Sequence, residues 1–236
     1  MTIFSPDSPQ IEQIYRHIVQ EELKSVAITS VNAEEGVTSL ALALAQRHLL
    51  SGRNTLLVDL NLNHPTLLPV QLHPETTAEP EFGTPCTVCI DAAPVILNGI
   101  IAPSGRADRM MLRRPHAIST WIKEWQATYD LIIFDTSPIS QTNHDCIPPE
   151  SIAAACDGCL MVVMAGKTTE SLAESCAQSL RFAGARLTGT IINDQCNPAL
   201  RSEIQRELGR LPQCCRRLVT ALRKKVSENK LLSIEL

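Results

Sequence analysis

Short, fully apolar runs alternate with stretches of helical period along most of the chain. Val26-Ala27-Ile28-Thr29 reads as a strand, and Thr38 to Leu50 as the helix after it, with Gly52 placed to end that helix. Thr55 to Val58 is a second apolar run, stopped by the acid Asp59. The stretch Pro74 to Pro94 is rich in proline, threonine and glutamate, so 72–94 reads as an irregular loop. Val95 to Ile101 reads as a third strand, and His116 to Tyr129 carries Ile118, Trp121, Ile122 and Trp125 at helical spacing. Leu131 to Phe134 is a strand that ends at Asp135. Gly158 to Val163 and Leu187 to Ile192 are further strands, separated by a helix over Thr168 to Phe182 that stops near Gly184.

Helices are also expected over 1–23 and over Pro198 to Leu208. In the tail 211–236, Leu211, Cys215, Leu218, Leu222 and Val226 share one helical face, and Arg216, Arg217, Arg223, Lys224 and Lys225 make it basic. A helix of this kind suits packing or partner docking better than a membrane surface, because it has no aromatic anchor.

Continuous apolar strands alternating with helices mean strands buried on both faces. The expected fold is therefore α/β: a three-layer, doubly wound, predominantly parallel sheet in a single domain spanning 1–236. Composition agrees, with 44% hydrophobic and 19% charged residues in 236, enough for a large core without disulfides. A net charge of −4 gives no basis for sequence-independent nucleic-acid binding.

No apolar run is long enough to span a bilayer, and the first ten residues lack a signal-peptide pattern. A cytoplasmic chain is expected, with any membrane contact weak or made through a partner. Cys86/Cys89 and Cys156/Cys159 have zinc-like spacing among nine cysteines, but core packing is the better reading.

Ligands of such sheets bind at the carboxyl ends of the strands. Three of those ends carry polar signals here: Ser30 to Ser39, Asp59 to Asn63, and Asp135 to Pro138. The first sits where a phosphate loop belongs. Such a loop needs glycine, a lysine to neutralise the phosphates, and a Ser/Thr for magnesium. Gly36 and Thr38 are in place, with Ser39 beside them, but the lysine position holds Val37. Lys24 precedes the strand and belongs at its opposite end, while Glu34 and Glu35 bring negative charge to where phosphates would sit. Asp135, closing an apolar strand, suits a magnesium-bound water.

Thr29-Ser30, Glu35-Gly36, Asp59, Pro65, Asp130, Asp135, Pro138, Asp157-Gly158, Gly189 and Asn193 fall in the order and spacing of a known pattern. In this the chain resembles the kinase domain of bacterial tyrosine kinases, which are Min/Par-type deviant Walker ATPases with a P-loop fold that regulate capsule and exopolysaccharide assembly. The resemblance implies that Thr38 and Asp135 descend from magnesium-site residues, Asp59 from a catalytic acid, and Asn193 from the residue that reads adenine. It also implies Ser30, Glu35, Gly36, Val37, Thr38 and Ser39 as the remnant nucleotide loop.

The departures point away from turnover. Val37 replaces the lysine, Asn61 the second acid and Asn63 the basic residue of the motif after strand two. Tyr15 and Tyr129 are the only tyrosines, so the family's tyrosine cluster is missing. The helix signature used for ring assembly survives only as Glu12 and Arg16. Phosphoryl transfer depends on positioned charge, and one lost contact of that kind costs roughly a hundredfold to a thousandfold in rate.

The expectation is a degenerate ATPase with no kinase activity and with ATP and magnesium bound weakly or not at all. It would serve as a regulator or adaptor in polysaccharide production or export, docked to a protein partner such as an inner-membrane chain-length regulator, with oligomerisation left open. Two alternatives stand beside it. One is an active ATPase or kinase with a non-standard P-loop, and the other is a Min/Par-type positioning protein.

Overall fold

The computed structural model describes residues 4–70, 82–90, 93–114, 116–142 and 146–195. Contacts divide the chain into two units, Met1–Val163 with Thr168–Ile192, and Met164–Lys167 with Asn193–Leu236. The expected helix at 198–208 and the basic tail at 211–236 lie outside the described residues.

The elements run α1 (Pro9–Gln20), β1 (Ser25–Ser30), α2 (Val37–Leu50), β2 (Thr55–Leu60), β3 (Leu67–Pro69), β4 (Cys86–Ile90) and β5 (Ala93–Ile100). They continue with α3 (Arg106–Leu112), α4 (Ala117–Trp125), β6 (Leu131–Thr136), α5 (Pro149–Ala155), β7 (Gly158–Met164), α6 (Glu170–Phe182) and β8 (Leu187–Asn193). A 3-10 turn, Ile139–Gln141, follows β6.

The eight strands lie in the order β3-β4-β5-β2-β6-β1-β7-β8. β2, β6, β1 and β7 pair in parallel in the middle, as their unbroken apolar runs require. Every residue of β1, β2 and β6 is buried. Because side chains alternate across a strand, Val26 and Ile28 enter one core with α1 and α2, while Ala27 enters the other with α3 to α6. Three layers result, as the apolar pattern predicts.

The N-terminal helix is shorter than its expected 1–23. Ser8 caps it, its Oγ accepting the Ile11 N–H at 3.3 Å, and Pro9 occupies the first turn, where its missing N–H costs nothing. Ile11, Tyr15 and Ile18 form its buried face. Its polar contacts also point into the domain. The Arg47 Nε donates to Glu12 Oε2 at 2.6 Å, and the Tyr15 hydroxyl meets His48 Nδ1 at 3.1 Å and Ser51 Oγ at 2.9 Å.

Residues 86–90 and 93–94 depart from the expected irregular loop. Cys86–Ile90 is a strand antiparallel to both Leu67–Pro69 and Ala93–Ile100, so β5 also begins two residues earlier than expected. The prolines and threonines hide it locally, whereas Val88, Ile90 and Leu97 reveal it by facing the α1–α2 core. Two short helices, α3 and α5, have no counterpart in the expected elements, and α4 ends at Trp125 rather than Tyr129. Cys156 and Cys159 pack in the second core as small hydrophobes, and burial drives the Cys159 thiol up to about 12. Cys86 and Cys89 are half-buried on β4.

Gly83 carries a specific load just before β4. Its φ is +94°, and a Cβ there would overlap the Trp121 ring. Its carbonyl accepts the Trp125 Nε1–H at 3.2 Å, and Phe82 stacks on Trp121 with centroids 5.1 Å apart. Gly83→Ala is expected to cost about 2–4 kcal/mol, since it combines left-handed strain with a clash against a packed ring. Gly52→Ala, with φ +76° and open space around it, should cost only about 1 kcal/mol. Urea unfolding followed by tryptophan emission checks both, and equal losses for the two variants would refute the packing role.

Candidate nucleotide-type site

The site is built where β1, β2 and β6 end side by side. Ile28 and Asp59 both pair with Asp135 across the sheet, so Asp59 and Asp135 are adjacent on neighbouring strands. Thr38, in the first turn of α2, donates its hydroxyl to Asp135 Oδ2 at 2.6 Å. Thr38, Asp59 and Asp135, read from three separate segments, are thus brought to one end of the sheet.

The loop between β1 and α2 has the turn such a site needs. Glu34 and Gly36 both take positive φ, 63° and 99°, and Gly36 is the N-cap of α2 with no side-chain cap. Ser30 Oγ donates to the Asn32 carbonyl at 2.7 Å. The loop is also tied to the turn after β6: the Ser140 N–H donates to the Val31 carbonyl, and the Ser140 Oγ to Asn32 Oδ1, each at 3.1 Å.

Glu35 corrects the expectation for its charge. It does not stand in the open loop but is 2% exposed and turned inward. Its Oε2 accepts the Val31 N–H at 2.9 Å, its Oε1 accepts the Asn32 amide at 3.1 Å, and the Thr168 hydroxyl also donates to it. A carboxylate so placed braces the loop, because charge-assisted bonds to N–H groups are the strong ones. Glu34 does remain exposed. Ser39 is buried in the first turn of α2, behind the loop.

Val37 stands directly after Gly36 in the loop. As the first residue of α2 it is 6% exposed and belongs to the α1–α2 core. A lysine there would carry an ammonium on a flexible stem, but valine carries only apolar surface. No lysine lies in 30–39, and Lys24 precedes β1, at the opposite end of that strand from the loop, with its N–H bound to Asp157 Oδ2 at 3.0 Å.

Asp59 is fully buried and already engaged. Its Oδ1 accepts the Asn61 N–H at 3.0 Å, and its Oδ2 accepts those of Thr66 and Leu67 at 2.7 and 3.2 Å. The acid thereby organises the turn into β3. Burial raises its pKa, and those three N–H donors oppose the rise. Asp135 is pushed well above the carboxylate range, first by burial, then by the charge on Asp59, against the Thr38 hydrogen bond.

Three buried polar atoms stand without partners at these strand ends: Asp135 Oδ1, Asn61 Oδ1 and Ser137 Oγ. Of these, Asp135 Oδ1 belongs to the carboxylate that meets the Thr38 hydroxyl, and such an oxygen pair fits a magnesium ion with its waters. The phosphate half of the site does not fit in the same way, since the loop offers no cation.

Asn193 ends β8 in the second unit. There its carbonyl accepts the Ala165 N–H at 2.8 Å and its Oδ1 accepts the Gln195 N–H at 3.1 Å. Asn63 bonds elsewhere than to the site acids: its Oδ1 accepts the Cys146 Sγ–H at 3.3 Å. Neither the Glu35–Thr168 brace nor the Ser140 tie has a signal in the sequence, because the partners lie over a hundred residues apart.

No protein-family profile matches the chain. The tyrosine-protein kinase CpsD of Streptococcus pneumoniae is 26% identical over 182 residues, covering 73% of this chain and 77% of that protein. The tyrosine-protein kinase YwqD of Bacillus subtilis is 28% identical over 190 residues, 74% of each. Among solved structures, the kinase domain of Escherichia coli tyrosine kinase ETK superposes with a TM-score of 0.58 at 15% identity, covering 82% of this chain and 80% of that one. The septum site-determining protein MinD of Pyrococcus horikoshii, complexed with Mg-ADP, gives 0.52 at 16% identity, covering 72% and 70%. The chain is thus similar in sequence to bacterial tyrosine kinases and has the P-loop ATPase fold.

Proposed function

We propose that this chain, similar to tyrosine kinases in sequence and to MinD in fold, has lost phosphoryl transfer and acts as a regulator or adaptor. Its setting is bacterial polysaccharide production or export, in the cytoplasm, beside a membrane-anchored protein partner. One observation carries the reading: Val37, buried in the first turn of α2, stands where the resemblance puts the lysine that neutralises the β- and γ-phosphates. Catalysis of this transfer is positioning plus electrostatic stabilisation, so a loop without its cation loses the main contribution. The state of Asp59 supports the same conclusion. A carboxylate holding three backbone N–H groups is a loop organiser, poorly placed to take a proton from an incoming nucleophile.

A second reading rests on the Thr38–Asp135 bond and the partnerless Asp135 Oδ1, which keep the magnesium half of the site. On that reading ATP binds and a partner chain supplies the missing cation. Calorimetry with ATP, with and without magnesium, alongside ATP hydrolysis and autophosphorylation assays, separates the two. Binding weaker than about 0.1 mM and turnover at background are expected. Robust hydrolysis abolished by Asp59→Asn would overturn the proposal.

A further inference from the structure

We propose that the arginine face of α3 is a docking surface for an acidic peptide segment of a partner protein. Arg106, Arg109, Arg113 and Arg114 fall within nine residues of a chain whose net charge is −4. The helix runs Arg106–Leu112, and Arg113 continues it with right-handed helical angles. At about 100° per residue, Arg106, Arg109, Met110 and Arg113 share an arc of roughly 100°, and Arg114 follows in the bend after the helix. Leu112 lies on the other side, buried in the second core, so the helix is anchored with its basic side outward. Arg106 and Arg114 are exposed, and Met110 between them is 51% exposed.

The charges of Arg106, Arg109 and Arg114 are not neutralised within the helix. Arg109 donates to the Ser104 carbonyl at 3.1 Å and the Gly105 carbonyl at 3.4 Å, which orients the guanidinium without cancelling it. Arg113 donates to the Cys146 carbonyl. Arg106, Arg109 and Arg114 pair with no carboxylate among the described residues. Asp108, the acid of the same helix, folds over the Gly105 backbone. Guanidinium groups held in place by carbonyl bonds lose less freedom on binding than mobile ones.

The dimensions favour a peptide. From Arg106 to Arg113 the face runs about 10 Å along the helix axis, the reach of about three residues of extended chain. Arginine forks match carboxylates two bonds at a time, and Met110 offers an adaptable apolar contact beside them. A lipid surface calls for a broader apolar face with several inserting side chains, and here Met110 stands alone between the arginines. The face is also tied to the turn that Asp59 organises, since Cys146, held by Arg113, bonds Asn63 through its thiol.

The test is fluorescence anisotropy on the full chain with a labelled eight-residue Glu/Asp/Leu peptide. Its Gln/Asn counterpart, anionic phosphatidylserine vesicles and a single-stranded oligonucleotide are run beside it at physiological salt. Micromolar binding of the acidic peptide is expected, with at least a tenfold loss in R106E/R114E and in the milder R106Q/R114Q. The R53E variant, altered at an exposed arginine after α2, should bind as the parent does. Equal binding by the arginine variants and the parent, an equal loss in R53E, or tighter binding of vesicles or oligonucleotide than of peptide each overturns the proposal. Unchanged melting temperatures establish that all variants are folded.

Discussion

Val37→Lys is expected to tighten binding of magnesium-ATP by a hundredfold or more. The loop already has the turn that a phosphate cradle uses, with Gly36 at φ 99° and α2 beginning directly after it. What it lacks is a cation, and restoring one strong electrostatic contact in a site of this type is worth roughly 3–4 kcal/mol. The opposing cost is the burial of Val37, which is 6% exposed. Losing it costs about 1.5–2 kcal/mol of stability, partly recovered because a lysine stem can lie along the same apolar surface. The gain in affinity and the loss in stability therefore fall on separate measurements, calorimetric titration and thermal unfolding. A folded variant with unchanged affinity would show that the loop does not hold phosphates, whatever its sequence resembles.

Asp135→Asn should stabilise the chain, and by an amount that grows with pH. Burial and the neighbouring Asp59 raise the Asp135 carboxyl well above its ordinary value. A carboxyl raised on folding contributes its full stability below the ordinary aspartate pKa, about 4. That contribution is lost as the pH rises through the raised, folded value. Asparagine stays neutral at every pH and can still accept the Thr38 hydroxyl. The two forms should match near pH 4 and diverge towards neutrality by roughly 1–3 kcal/mol, the cost of an uncompensated buried polar or charged group. Asp59→Asn is the contrasting variant. It removes charge too, but weakens an acceptor that serves three backbone N–H groups, so it should destabilise. Melting temperatures of the parent and both variants from pH 4 to pH 8 decide the matter. A difference for Asp135→Asn that ignores pH would remove the carboxylate pair as its cause.

The central strands were legible because burial on both faces leaves a run with no polar position, and only a parallel sheet between helical layers explains several such runs. The expected neighbours Val26–Thr29, Leu56–Asp59 and Leu131–Asp135 do lie together in the sheet. Asp59 and Asp135 were legible for a related reason. A polar residue at the end of an apolar strand stands out, and parallel strands bring such ends to one edge, while Thr38 was legible from its place just after Gly36 in the loop that opens α2. The antiparallel strand at Cys86–Ile90 was not legible, since its residues take strand form only through pairing with β3 and β5.

By itself, the sequence determined the layered fold, the position of the site and the absence of lysine from its loop, each a property of local pattern. The tertiary structure decided what the acids bond to there. Glu35 reads as a charge opposing phosphates, yet its carboxylate is drawn inward by the Val31 N–H and the Thr168 hydroxyl. Asp59 reads as a catalytic acid, yet its lone pairs face the turn into β3. Composition and spacing do not encode which donors a carboxylate will meet. That depends on backbone groups brought close only when the sheet closes, where a buried acid without donors would be too costly to keep.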